Sequence, residues 1–112
     1  MQTQTFTALA SAARTVTGTA DLGAMPGGFI EMNVYIAVTA TSGTPSMTVT
    51  YQASHDGVTF FDHTAGAALT AAANQLTRLS SNIGKFGRLS YAISGGTPSL
   101  TFSAVVETKR SD

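Results

Sequence analysis

The chain contains no cysteine, which removes disulfides, thiolate metal sites and cysteine nucleophiles together. It says little about compartment, since a cysteine-free chain tolerates oxidising and reducing surroundings alike. Charge is the second scarcity. Asp, Glu, Lys and Arg make up 11% of the 112 residues, against about 25% in an average globular domain. Six basic and six acidic residues cancel to a formal net charge of zero. Without a basic stripe the chain is poorly suited to gripping a phosphate backbone, so nucleic acid is not an expected partner. Long apolar runs are also missing. None approaches the roughly 18 residues of a membrane-spanning helix, and the start MQTQTFTALA lacks the basic residues and apolar stretch of a signal peptide. No membrane partner is expected, and the N-terminus reads as unprocessed.

What is present is a core and a hydroxyl-rich surface. Hydrophobic residues make up 43% of the chain, and its length suits one domain over residues 1–112. Thr and Ser fill the polar positions that charge leaves vacant. Such a surface suits close packing against other subunits, because burying a hydroxyl costs much less than burying a charge. An ordinary Thr-rich β surface would look the same. Near-zero charge also weakens the self-repulsion that keeps protein molecules apart.

The pattern is that of strands. Thr, Val, Ile, Phe and Tyr alternate, and Gly, Pro, Asn and Asp interrupt them about every 8–12 residues, as in sandwiches and barrels. From Phe29 to Thr41 the residues Ile30, Met32, Val34, Ile36, Val38 and Ala40 share one face. Glu31, Asn33, Tyr35, Ala37 and Thr39 share the other. After Ser42-Gly43-Thr44-Pro45 the alternation resumes with Met47, Val49, Tyr51 and Ala53 inward, which predicts a hairpin. A second hairpin is predicted from Leu89, Tyr91 and Ile93 through Gly95-Gly96-Thr97-Pro98 into Leu100, Phe102, Ala104 and Val106. Shifted by 53 positions, Gly43 to Thr50 lies on Gly96 to Ser103 without a gap. Either Gly and Pro converge because turns demand them, or two similar units occupy equivalent places in the fold.

Shorter strands are predicted over Thr3–Leu9, Arg14–Ala20, Val58–Asp62 and Gln75–Ser80. Gly23 to Gly28 reads as a loop, and the Ala-rich stretch 64–73 as a short helical turn or a loop. The expected fold is an all-β antiparallel sandwich, jelly-roll or Ig-like, with roughly eight strands.

Chemistry finds little support, and no enzyme, metal or cofactor is expected. His55-Asp56 and Asp62-His63 could bind a divalent ion if they converged. Residues 55 and 63 sit at opposite ends of an extended segment, however, over about 20 Å apart at some 3.3 Å per residue. Asp56-Gly57 has a sufficient role in a turn, with Gly57 at a positive backbone angle. Ser54 and His55 are sequence neighbours, so on a strand their side chains diverge and do not make a nucleophile–base pair. Glu31 and Glu107, the only glutamates, fall on outward strand positions and read as solvated charges. Gly84-Lys85-Phe86-Gly87 lacks the pattern of a phosphate loop. Two aromatics are candidate contact residues: Tyr35, on the outer face of the longest strand, and Phe61, whose adjacency to Phe60 points one of the two rings outward.

Three segments carry a resemblance. Tyr51-Gln52-Ala53-Ser54-His55-Asp56-Gly57-Val58-Thr59-Phe60-Phe61-Asp62 ends a strand in Ser-x-Asp-Gly, with an aromatic before an Asp. Gly84 to Ile93 has the form Gly-x-x-x-Arg-aliphatic-x-aromatic, and a Gly-x-Pro-Ser-x-Thr-x-Ser strand follows at Gly96–Ser103. Together they resemble β-sandwich structural proteins of tailed-phage particles, of the capsid decoration or cement type. Related sandwiches also serve as carbohydrate-binding modules and Ig-like domains. The resemblance implies a virion protein assembled in the host cytoplasm, with the major capsid protein as partner. It also implies a homo-oligomer, commonly a trimer at local three-fold positions, with residues 1–14 as an N-terminal arm. The alternatives it leaves open are a carbohydrate- or receptor-binding module of a tail or fibre, and a head–tail joining component.

Overall fold

A computed structural model describes the backbone of residues 2–24, 29–80 and 83–110 and the side chains of 3–23, 31–80 and 83–109. Most of the expected Gly/Pro loop, at 25–28, and the side chain of Ile30 lie outside these residues. The described residues form an all-β fold with no helix. In chain order the strands are β1 (Gln2–Arg14), β2 (Gly18–Ala24), β3 (Phe29–Ser54), β4 (Phe61–Ala65), β5 (Ala73–Leu79) and β6 (Phe86–Arg110). In the Ala-rich stretch 64–73 the first two residues end β4 and the last begins β5. Between them is loop, tied to the sheet where Leu69 bridges Met47.

The six strands make one antiparallel sheet, and β3 and β6 are its spine. They pair with each other from Phe29–Arg110 to Ser54–Phe86. Neither can be straight. A strand of 26 residues would extend about 85 Å at some 3.3 Å per residue, whereas the molecule is 45 Å in its longest dimension.

The fold occurs at the two expected hairpin turns, and this corrects the hairpin expectation. Ser42-Gly43-Thr44-Pro45 and Gly95-Gly96-Thr97-Pro98 do not reverse their own strands. They lie opposite each other, Thr44 with Gly96 and Pro45 with Gly95, and β3 and β6 bend together there. Gly43, Gly95 and Thr97 take the positive φ values that turns use (70°, 115° and 43°), but the register slips between Ser42 and Thr44. An extra residue on one strand bends it without ending the pairing. The four segments expected on either side of the two turns are therefore two long strands, which is why there are six strands where about eight were expected.

Each arm of the spine carries one flanking strand. One half of the sheet contains β1, residues 99–110 of β6, residues 29–42 of β3, and β5. The other contains β2, residues 86–96 of β6, residues 44–54 of β3, and β4. We refer to them as the β1 half and the β2 half. The 53-residue repeat has a counterpart in this pairing. The shift sends Val38 to Tyr91 and Val49 to Phe102, and the register places Val38 opposite Phe102 and Val49 opposite Tyr91. The two spine strands thus exchange places about an approximate twofold axis at the bend.

Alternation then builds the core. Met32, Val34, Ile36 and Val38 from β3 are buried, and Leu100, Phe102, Ala104 and Val106 from β6 are fully so. Met47, Val49, Tyr51 and Leu89 join them from the β2 half in one cluster. Near the bend Tyr91 of one half meets Phe102 of the other edge-on, ring centroids 5.4 Å apart, so residues of both halves join in one core. Ala40, expected inward, is exposed because a register shift after Val38 moves it off the core face. The buried Tyr51 hydroxyl donates to the Ile83 carbonyl at 2.6 Å, and burial pushes its pKa up to about 12. Within the stretch 1–14, expected as an arm, Gln2–Arg14 is an edge strand paired along β6.

The bend makes a specific demand on glycine. A β-carbon on Gly43 would collide with the backbone carbonyls of Thr97 and Gly96, on top of the penalty for positive φ. At Gly57 (φ 80°) a β-carbon would meet only the Phe86 ring at an ordinary 3.5 Å. Gly43→Ala should therefore cost about 2–4 kcal/mol and Gly57→Ala about 1 kcal/mol, compared by urea unfolding. Equal costs would show that the paired bend is not the tight point of the fold.

Candidate functional site

With the inner faces in the core, a contact surface lies on the outer faces, at the sheet edges or at the loops, and the two outer faces differ. On the β1 half, Arg78 and Lys109 both pair with Glu31. Glu107 accepts from Asn33 Nδ2 at 3.1 Å and from the Tyr35 hydroxyl at 2.9 Å. Bonds from Lys109 and Arg78 hold the Glu31 carboxyl below its ordinary pKa, and those from Asn33 and Tyr35 do the same for Glu107. The bond to Glu107 raises the Tyr35 phenol. Glu31 and Glu107 are outward, as expected, but they form a network across β3, β5 and β6.

That network fixes Tyr35. Tyr35 is 40% exposed with its hydroxyl tethered, and directly opposite it on β5 lies Leu76, 59% exposed. Together with Ala37 and Asn74 they line a depression of about 350 Å³. Sequence reasoning named Tyr35 and missed Leu76. The signal was available, since Leu76 falls between Gln75 and Thr77 on an alternating strand, but the pairing of β5 with β3 was not visible.

The outer face of the β2 half is built of hydroxyls. Thr19, Ser90, Thr50 and Ala65 stand in one row across four strands, and Thr48 with Ala92 and Ser46 with Ser94 form the next two. Its charges are confined to a row at the loop end. There Arg88 donates to Gln52 at 2.6 Å, Gln52 donates to Asp62 at 2.7 Å, and the Arg88 guanidinium lies 4.1 Å from the Phe60 ring centre. Phe60 is thereby half-covered, and Phe61 is the ring that points outward.

Phe61 belongs to the loop end. It is 56% exposed and stacks on His55 at 6.2 Å, beside a depression of about 330 Å³ that also involves Lys85 and Gly84. It begins β4, opposite Ala53, so the strand expected from Val58 starts three residues later. The residues between form the turn expected at Asp56-Gly57. Asp56 Oδ1 accepts from the N–H groups of Val58 (2.8 Å) and Thr59 (2.9 Å) and from the Ser54 hydroxyl (3.0 Å). Ser54 Oγ accepts from the N–H groups of Asp56 and Gly57. Ser54 is buried and its oxygen is engaged in the turn, not with His55. His63 packs edge-on to Tyr51 and contacts the Thr64 hydroxyl at 2.6 Å. Among the described residues no group of three or more His, Cys, Asp or Glu converges as a metal site would.

No protein-family model matches the chain, and no curated protein does. Solved structures do. Over 97% of its length the chain superposes on the PBSX exported protein XepA, with a TM-score of 0.73 at 11% identity, covering 38% of that protein. It superposes equally completely on a chain of the infectious bursal disease virus Gx strain, with a TM-score of 0.62 at 14% identity, covering 32% of it. A Bacillus endospore appendage protein, from a family of disulfide-linked pili, matches over 99% of this chain and 93% of its own, with a TM-score of 0.52 at 12% identity. The likeness is one of fold. The chain spans about a third of the length of the first two.

The turn gives a pH prediction. Bonds from Thr59 and Val58, then from Ser54, hold the Asp56 carboxyl down at about 2. A carboxyl whose pKa falls on folding adds stability above its unfolded value, near 4, and loses it as pH drops toward about 2. The melting temperature should fall between pH 5 and pH 2, and Asp56→Asn should flatten that fall. An unchanged slope in the variant would show that the Asp56 charge does not support the turn.

Proposed function

We propose that the chain is a non-enzymatic structural component of a virus particle, and that it strengthens the shell by binding between subunits of the major capsid protein. The observation that carries this reading is the outer face of the β2 half, an open sheet surface of Thr, Ser and Ala across four strands. Hydroxyls and methyls can be buried at small cost, whereas charges cannot without partners. The charged residues of the β1 half instead satisfy one another across its own outer face. The fold adds support, since it recurs in a chain of the infectious bursal disease virus and in the PBSX exported protein XepA, although at identities that speak of fold alone. Affinity would come from apolar burial at about 25 cal/mol per Å² and from hydroxyl and backbone hydrogen bonds. Contacts of this kind depend weakly on salt, because screening acts mainly on exposed charges.

A second reading rests on Phe61. An exposed ring stacked on His55 beside a shallow depression is a platform on which a sugar could lie, as in a receptor-binding module of a tail or fibre. The two readings separate in one experiment, in which the protein is added to particles lacking it, at low salt and at 1 M salt, and occupancy and heat resistance are measured. The shell reading expects occupancy that changes less than twofold with salt, is lost in Thr48→Glu and survives in Phe61→Ala. Absence of shell binding, with glycan binding that requires Phe61, would establish the second reading instead.

A further inference from the structure

We propose that β1 is a self-association edge, pairing antiparallel with β1 of a second copy about a twofold axis at Thr5. This pairing is independent of the shell role. Among the described residues the sheet has four edges, β1, β2, β4 and β5, each bonded on one side only. Exposed edges invite pairing with other chains, and proteins protect them by shortness, charge or bulges. Three edges here are protected in that way. β2 has seven residues with Asp21 and a register shift, β4 has five with Asp62, and β5 has seven with Arg78. β1 has thirteen residues and carries no charge before Arg14.

Two register shifts, between Thr7 and Leu9 and between Leu9 and Ala12, break up its second half. Its first half, Gln2 to Thr7, pairs with β6 without interruption and has nothing to deter a partner.

The occupant that suits this edge is a second copy. A twofold axis normal to the sheet places residues of equal face opposite each other only when it passes through a residue. At Thr5 it pairs Thr5 with Thr5, Thr3 with Thr7 and Gln4 with Phe6. Every outer-face pair is then Thr–Thr, a favourable cross-strand combination, and no charge meets its like. On the inner face Phe6, opposite Val106 and 38% exposed, lies outside the main cluster with its outer side uncovered. The partner's Gln4 would cover it. The shifts beyond Thr7 end the pairing after one short segment. Because a twofold contact uses up the edge on both copies, the assembly closes as a dimer and does not grow into a fibre.

The test is sedimentation equilibrium of the isolated protein, without particles, so it stands apart from any failure of shell binding. The wild type should dimerise at micromolar concentration. Thr5→Lys, on the exposed outer face, would set two ammonium groups directly opposite and should raise the dimer dissociation constant at least tenfold, with a melting curve that matches the wild type's at concentrations where both are monomeric. The chain has no cysteine, so Thr5→Cys should form a single symmetric disulfide on mild oxidation, whereas Thr48→Cys on the other half should not. A wild type that is monomeric at every concentration overturns the proposal. So does a dimer indifferent to Thr5→Lys, or one in which Thr5→Cys fails to cross-link.

Discussion

The antiparallel ladder between β3 and β6 is the interaction on which the rest of the structure depends. Each of the other four strands bonds only to one of these two, so none has a place in the sheet until the spine exists. The ladder also determines where the core forms. By carrying both strands through a shared bend, it brings Tyr91 and Phe102 into ring contact from residues that a straight strand would hold some 35 Å apart. Its pairs are distant in sequence, so the spine forms at the cost of closing a long loop before its contacts stabilise it. The approximate twofold relation within it places a Gly-Thr-Pro step on both strands at the bend, but the backbone differs: on β3 Gly43 takes the positive φ, and on β6 Gly95 and Thr97 do.

The spine also sorts the surface. Because side chains alternate, the choice of neighbours decides which outward residues meet. On the β1 half Glu31, Arg78, Lys109 and Glu107 fall close enough to neutralise one another. On the β2 half the same alternation leaves rows of hydroxyls. A chain with few charges therefore does not spread them evenly. It gathers those of the β1 half into one network and confines those of the β2 half to a row at the loop end, which leaves the hydroxyl rows between that row and the bend free of charge.

Much of this was legible in the sequence. Period-two alternation placed Met32, Val34, Ile36, Val38, Met47, Val49 and Tyr51 in the core, and the Asp-Gly step located the turn at Asp56. Tyr35 was readable as an outward ring from its strand position, whereas adjacency showed only that one of Phe60 and Phe61 points outward. What the sequence concealed was partnership. Gly-Thr-Pro marks a break in regular backbone, but whether the chain reverses or bends depends on which strand lies opposite, and that is a long-range property. The same limit hid Leu76 beside Tyr35 and the network around Glu31, since each requires knowing that β5 and β6 flank β3. The flanks of β4 were blurred because Asp56 ties Val58 and Thr59 into the turn, delaying a strand that their β propensity favours.

The most direct test of the account is a reconstruction of the particle with and without the protein bound. The account predicts density between shell subunits in which the Thr48–Thr50 face of the β2 half lies against the capsid and the Glu31–Glu107 network remains in solvent. Density at a tail tip, or a shell contact made through the charged face of the β1 half with the hydroxyl rows exposed, would contradict it.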